Sequence, residues 1–391
     1  MLKIDVKQDC CGCAACASVC PKQCITMEMD MEGFRYPKVD VNQCVDCHIC
    51  EKVCPIIHKQ SVGEGSPLMY ATYNKDERVR EQSSSGGMFS LLASWVLERA
   101  GVVFGVGFGE GNAVQHKSCL NVNGLEELRG SKYVQSDTGT IFSAVKKVLA
   151  DGKWVLFTGT PCQIQGLRAY LRGEYDRLIT QDFICHGVAS PKVWAKYLQE
   201  QERKQKAKVI GVSFRSKRKG WKKFSMELLF SNQKRYCKTL DKDAMLQFFL
   251  KDYSLRPSCY DCKFKEKKHI SDFTLADFWG IEHIKPEMCD EKGVSLLFLN
   301  SEKAKSIFEE LQPKMYFEAV EIEKVIPYNS AILYSVKAPA RREEFFVDIH
   351  QKGINSVYRK YCLAPLPKRI INSLHLLLYK LKRKIKRRKE K

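Results

Sequence analysis

The chain has 391 residues, 44% of them hydrophobic, with 18 cysteines and a formal net charge of +20. It is too long for a single small cysteine-rich module, so a small domain followed by one large or two medium ones is expected. The longest apolar stretch, residues 91–108, is interrupted by Glu98 and Arg99, so no membrane-spanning helix is expected.

Residues 1–60 are organised by cysteine. Cys10, Cys13, Cys16 and Cys20 precede Pro21, and Cys44, Cys47, Cys50 and Cys54 precede Pro55; the second set repeats the first 34 positions later. This doubled C-x-x-C-x-x-C-x-x-x-C-P is the spacing by which bacterial-type ferredoxins hold two 4Fe–4S clusters, the fourth cysteine of each set reaching the other cubane. The expected ligands are Cys10, Cys13, Cys16 and Cys54 for one cluster, and Cys44, Cys47, Cys50 and Cys20 for the other. A disulfide scaffold would need a secreted chain, and no leader is read ahead of Cys10. A structural zinc site would use paired C-x-x-C motifs without the closing C-P. Cys11 and Cys24 fall outside the register and read as packing residues or as neighbours of the ligands. The expected setting is reducing and cytoplasmic. Gly33, Phe34, Arg35, Tyr36 and Pro37 read as the hairpin between the halves of an α+β, ferredoxin-like bicluster domain.

Residues 61–67 are polar and rich in Gly, Ser and Pro, a linker by composition. Strands and helices then alternate. Strands are expected over 69–73, 102–108, 154–158, 178–184 and 294–299. Helices are expected over 88–100, 140–149, 163–171, 190–202 and 302–312. Residues 209–214 and 224–230 read as strands flanking a basic loop, and 239–250 as a helix. The alternation predicts a larger α/β domain over residues 68–340, with ligands at strand C-terminal ends. Residues 341–391 read as a helical, basic tail. From Lys368, a stripe of Ile370, Leu374, Leu377, Leu381 and Ile385 opposes a cationic face, and residues 380–391 carry nine Lys/Arg against one Glu. Such a helix suits either a solvated tail or peripheral contact with the inner face of an anionic membrane.

Cys162 and Cys185 each follow a strand and, if those strands are neighbours, face one cleft. Cys259 and Cys262 then complete a four-thiolate set. The alternative is that the first two are core thiols and the second pair holds zinc or nothing. Cys119, Cys237, Cys289 and Cys362 are isolated and read as structural. Residues 83–87 (Ser-Ser-Ser-Gly-Gly) precede a helix, where free amides and small side chains admit phosphate. Residues 130–136 and Gly159-Thr160 are two further small-residue loops. Three such loops suit a dinucleotide, although the Gly-x-Gly-x-x-Gly fingerprint is absent. His186 reads either as a proton relay or as a hydrogen-bonded structural histidine. The basic stretch 203–223 reads either as an anion-binding surface or as a solvated helix end and hairpin. No nucleic-acid motif accompanies the charge, so no nucleic-acid partner is expected.

Taken in order, Ser84-Ser85-Gly86-Gly87, Gly130-Ser131-Lys132-Tyr133-Val134-Gln135, Gly159-Thr160-Pro161-Cys162-Gln163, Cys185-His186-Gly187 and Cys259-x-x-Cys262 with Asp277-Phe278-Trp279-Gly280 make a recognisable series. The series resembles the beta-subunit family of coenzyme F420 hydrogenase/dehydrogenase, itself similar to plant hydroxymethyl-chlorophyll reductases. The resemblance runs from about residue 66 to residue 300, with Ala276 standing where the family more often has glycine. It implies an α/β flavin-binding domain with FAD on Ser85, Gly86, Gly87, Ser131, Lys132, Tyr133, Gln135, Gly159 and Thr160. It also implies a third 4Fe–4S cluster on Cys162, Cys185, Cys259 and Cys262. The implied activity is that of an iron–sulfur flavoprotein oxidoreductase, passing electrons between clusters and FAD for hydride transfer to or from an organic molecule. The resemblance does not carry the identity of that molecule, for which the deazaflavin coenzyme F420 and a polysaccharide precursor are the candidates. The implied partners are a redox protein or ferredoxin and the small hydride acceptor or donor. The alternative is a non-catalytic electron-transfer subunit that docks to a partner enzyme. No catalytic side chain is assigned.

Overall fold

The computed structural model describes residues 2–63 and 65–363. The helix expected from Lys368 lies outside the described residues. The N-terminal segment holds helix α1 (Ala15–Val19), strands β1 (Ile25–Met29) and β2 (Arg35–Val39), and helix α2 (Ile49–Lys52). β1 and β2 pair antiparallel, Ile25 opposite Val39 and Met29 opposite Arg35. Their turn needs Gly33 at φ 91°, and a Cβ there would also strike the Lys192 side chain.

The large portion begins with β3 (Leu68–Asn74), α3 (Glu77–Gln82), α4 (Met88–Leu97), β4 (Val102–Phe108), β5 (Val114–Cys119) and α5 (Leu125–Leu128). It continues with α6 (Ile141–Ala150), β6 (Val155–Thr158), α7 (Pro161–Leu171), β7 (Leu178–Phe183) and α8 (Pro191–Gln205). Next come β8 (Val209–Ser216), β9 (Ser225–Phe230), β10 (Arg235–Thr239), α9 (Ala244–Leu250), β11 (Phe273–Asp277), α10 (Ile281–Ile284) and β12 (Ser295–Leu299). The described chain closes with α11 (Glu302–Leu311), β13 (Met315–Ala319), α12 (Ile322–Val325), α13 (Arg342–Gln351) and α14 (Ile354–Cys362).

Eight strands form one sheet in the order β13-β3-β12-β11-β7-β6-β4-β5, and β8, β9 and β10 form a separate antiparallel sheet. β4, β6, β7 and β11 run parallel at the centre, while β5, β12 and β13 pair antiparallel with their neighbours. The sheet is therefore mixed. Only five residues separate β4 from β5, too few for a crossover, so that pair closes as a hairpin. The helix expected over 239–250 divides. β10 runs to Thr239, and α9 starts only after Asp243, whose carboxylate caps it by accepting from Leu246 N at 2.9 Å.

Alternation along β6 feeds two cores. Leu156 points to the layer made by α4 and α11, with Leu92, Val96 and Phe308, whereas Val155 and Phe157 point to the layer of α6 and α7, with Phe142, Ile164 and Leu167. A third core joins α8, α9, α13 and α14 to the smaller sheet. Residues 342–362, which sequence alone groups with the basic tail, thus pack through Phe345, Phe346, Ile349 and Val357.

Phe34, at the N-terminal hairpin, is fully buried in this third core, its ring 6.4 Å from that of Phe346. Next to it, Arg342 grips both oxygens of Glu32 at 2.8 and 2.6 Å, and Lys192 Nζ donates to the Met31 carbonyl at 3.3 Å. Among the described residues no helix is long and apolar enough to cross a membrane. Phe34→Ala should cost about 3–5 kcal/mol, the range for a buried phenylalanine. Hydrogen exchange checks the location: protection should fall over residues 25–39 while β6 and β7 keep theirs.

Candidate functional site

In the N-terminal segment, Ala14 (φ 62°) precedes α1 and His48 (φ 56°) precedes α2, so equivalent positions of the two halves share a left-handed residue. Cys20, Cys44, Cys47 and Cys50 line one cavity of about 380 Å³ together with Cys24, whose Sγ lies 3.4 Å from that of Cys20. Cys10, Cys13 and Cys16 are buried on the other side. Burial, then the nearby Cys10 and Cys54, push the Cys16 thiol up to about 12. Cys54 is raised by burial and by Cys10 and Cys50. The chain crosses over: Cys54 lies with Cys10 and Cys16, while Cys20 lies with the second triplet.

A larger cavity, about 600 Å³, opens at the C-terminal ends of β6 and β7. Cys162 enters it from the first turn of α7. That helix starts sharply because Thr160 and Gln163 form a capping box around Pro161. Cys185 follows β7, and Cys259 and Cys262 come from the turn after Arg256. Burial raises Cys185 well above the ordinary thiol range and pushes Cys259 up to about 12, in each case with further rises from other thiols of this set. Cys11 lines the same cavity, and its thiol contacts both Cys13 and Cys162.

Among the described residues no three or more His, Cys, Asp or Glu side chains converge to hold a single metal ion. An iron–sulfur cubane does not need that convergence, because each thiolate takes a different iron and the thiols surround a volume. Soft sulfur donors around a buried cavity fit such a group. His186 in the wall of this cavity is held by Asp252 at 2.7 Å, and His269 by the buried Asp182 at 2.8 Å.

The small-residue loops separate into neighbourhoods. Ser84 Oγ accepts from both Ser131 N (2.8 Å) and Ser131 Oγ (2.9 Å), joining the first two loops. Ser85 Oγ donates to the Val294 carbonyl, and Gly86 N to Ser295 Oγ at 2.9 Å. Gly87 adopts φ 87° ahead of α4. Tyr133 stacks on Phe249 and accepts from Arg215, which also grips Asp277 at 2.6 and 3.2 Å. Close to the Trp279 ring, Arg215 Nε and Trp221 Nε1 are buried donors without a partner among the described residues. Such orphan donors fit a ligand rich in acceptor oxygens and nitrogens. Lys132 Nζ instead donates to the carbonyls of Glu127, Leu128 and Arg129 at the end of α5. Gly159 and Thr160 lie at the start of α7, beside the thiol cavity.

Gln135 belongs to a different contact. Its Nε2 donates to the Cys11 carbonyl at 3.3 Å, and its Oε1 accepts from Arg256 Nη1 at 2.9 Å. Arg256 also donates from Nε to the Cys10 carbonyl at 2.8 Å and from Nη2 to the Arg35 carbonyl at 3.0 Å. Gly12 (φ 70°) makes room for this clamp, since a Cβ there would come within 2.5 Å of Gln135 Nε2 and 2.7 Å of Arg256 Nη1. Gly166 in α7 does the same for Cys13, 2.9 Å from where a Cβ would stand. Sequence reasoning missed Arg256, and it placed Cys11 only as a packing residue or a neighbour of the ligands.

Fold and site together describe a thiol-rich mixed α/β protein with a cysteine-dense N-terminal segment docked on its sheet. Residues 152–325 match the family model that describes the C terminus of the coenzyme F420 hydrogenase/dehydrogenase beta subunit. Over that segment the chain is similar to the coenzyme F420 hydrogenase/dehydrogenase beta subunit. It is 32% identical over 78 residues to NADH-quinone oxidoreductase subunit I 2 of Geobacter metallireducens; the match covers 19% of this chain and 57% of that protein. A chain of the F420-reducing [NiFe] hydrogenase complex from Methanosarcina barkeri aligns with a TM-score of 0.47 at 16% identity, covering 75% of this chain and 93% of that one.

Near these loops, buried His116 stacks on Phe157, donates from Nε2 to the Thr158 carbonyl at 3.1 Å and accepts at Nδ1 from Ser136 at 3.2 Å. Burial pushes this imidazole down to about 4. The unfolded chain, near 6.5, binds the proton first, so stability present above pH 6.5 drains away as pH falls through 4, by about 3 kcal/mol. Anaerobic urea unfolding should show this loss, and His116→Gln should flatten the slope in that window.

Proposed function

We propose that the chain is an iron–sulfur flavoprotein oxidoreductase. The observation that carries the reading is the gathering of Cys162, Cys185, Cys259 and Cys262 around one cavity, with Cys11 between that cavity and Cys13. Residues 1–60 act as the dicluster domain, with Cys10, Cys13, Cys16 and Cys54 holding one 4Fe–4S cluster and Cys44, Cys47, Cys50 and Cys20 the other. Residues 68–340 act as the FAD and iron–sulfur domain, with the four cavity thiols holding a third cluster. When bound, the clusters carry single electrons and the flavin exchanges a hydride equivalent.

The chain's own residues orient, insulate and admit. Cys47 is exposed whereas Cys10, Cys13 and Cys16 are buried, so the set containing Cys47 is the entry for a one-electron partner protein. Close packing of Gly12 and Gly166 keeps water from between the inner sets. Arg215 Nε and Trp221 Nε1 offer hydrogen bonds to the flavin or to its substrate, a deazaflavin in this reading. The family match over residues 152–325 supports the choice of cofactor class.

One observation favours a second reading, an electron-transfer subunit without a substrate of its own. The Gly86 and Ser131 amides and the Lys132 ammonium are already bonded within the chain. The two readings part in one experiment. Anaerobically purified protein is extracted for flavin, and the reduced chain is then mixed with a deazaflavin or with a one-electron acceptor. The first reading expects about one FAD per chain and two-electron reduction of the deazaflavin. No flavin, with full exchange to the one-electron acceptor alone, would establish the second reading instead.

A further inference from the structure

Among the described residues, four arginines have deeply buried guanidinium groups, and three of them face carboxylates. Arg80 pairs with Asp290 at 2.7 Å, Arg215 with Asp277 at 2.6 Å, and Arg342 with Glu32 at 2.6 Å. Arg256 is the most buried of the four, with none of its surface exposed, and no carboxylate lies in ion-pair range of it among the described residues. Its donors reach only neutral acceptors: the carbonyls of Cys10 and Arg35 and the amide oxygen of Gln135. The Tyr36 ring lies 4.3 Å from Cζ. An unpaired charge so far from water is strongly unfavourable unless a counter-charge stands nearby.

The ionisable groups around it are the Tyr36 phenol and thiols. Cys10 and Cys11 act on it from the N-terminal segment, and Cys259 from the cavity. Cys162, which lines the same cavity, feels its positive charge in turn. Arg256 is thus wedged between two of the thiol sets. The third set, Cys20 with Cys44, Cys47 and Cys50, lines a separate cavity that Arg256 does not touch.

We infer that Arg256 is the shared counter-charge of the two inner thiol sets and holds their reduction potentials above that of the outer set. The inference rests on the iron–sulfur reading above. Four thiolates and a cubane carry net negative charge. Uptake of one electron adds another, oxidises an external one-electron donor by one electron, and moves no proton and breaks no bond. A fixed cation beside the set favours the more negative state, and net charge and hydrogen bonding are the levers that set such potentials. Electrons entering at the exposed Cys47 edge then run downhill toward Cys162 and Cys185. Arg256 is a positioning and tuning residue, not a catalytic one.

The test is an anaerobic potentiometric titration of the full chain, followed by electron paramagnetic resonance. Arg256→Gln removes the charge. Gln135→Glu leaves the arginine in place and sets a carboxylate on its Nη1. Both variants should lower two midpoint potentials and leave the third unchanged, whereas Arg256→Lys should stay near wild type. Unchanged midpoints in a variant that keeps its iron, or an equal shift in all three signals, would overturn the inference. Where Arg256→Gln does not accumulate as folded protein, Gln135→Glu decides alone. A wild-type chain without cluster signals would overturn the iron–sulfur reading itself, a distinct failure.

Discussion

Everything in the arrangement of the thiols depends on how the N-terminal segment is held against the large sheet, and the Arg256 clamp is the centre of that contact. One guanidinium ties together the carbonyls of Cys10 and Arg35 and the side chain of Gln135, which itself holds the Cys11 carbonyl. The close approach needs two glycines, Gly12 under the clamp and Gly166 under Cys13. Phe34 and Glu32 supply a second anchor some distance along the same segment. With both in place, Cys13 and Cys162 come to share the neighbour Cys11.

The sheet explains why the second half of the thiols gathers where it does. β6 and β7 are parallel neighbours, so the residues just past their C-terminal ends open onto one space. Cys162 sits one turn past β6 because the capping box starts α7 there, and Cys185 lies two residues past β7. β11 ends beside them at Asp277, where Arg215 closes the approach to Tyr133 and Ser84. The thiol cavity and the small-residue loops thus share one edge of the sheet, with burial raising the thiols of the first and leaving unpaired donors near the second.

Much of this was legible in the sequence, for a physical reason. Cluster-type thiol spacing is local: eight cysteines and two prolines in a fixed rhythm constrain the backbone within sixty residues. The strand–helix alternation likewise announced the parallel centre of the sheet. What it did not announce were β5, β10, β11 and β13, short strands whose alternation is diluted by polar residues, and with them the mixed character of the sheet. Cys162, Cys185, Cys259 and Cys262 lie on segments far apart in sequence, so spacing alone left two readings open. Gln135, read from family resemblance as a flavin contact, spends both ends of its amide on Arg256 and Cys11. Arg256 carries no motif at all. Its place becomes visible only when the buried arginines are compared with their carboxylates.

The most direct test of the account is the iron and acid-labile sulfide content of the full chain, purified without oxygen. Three thiol sets, each around its own cubane, predict about twelve irons and about twelve sulfides per chain, with about a third of each lost in a Cys259→Ala, Cys262→Ala double variant. About eight irons in the wild type, unchanged in that variant, would mean that the cavity thiols hold nothing, and would contradict the account.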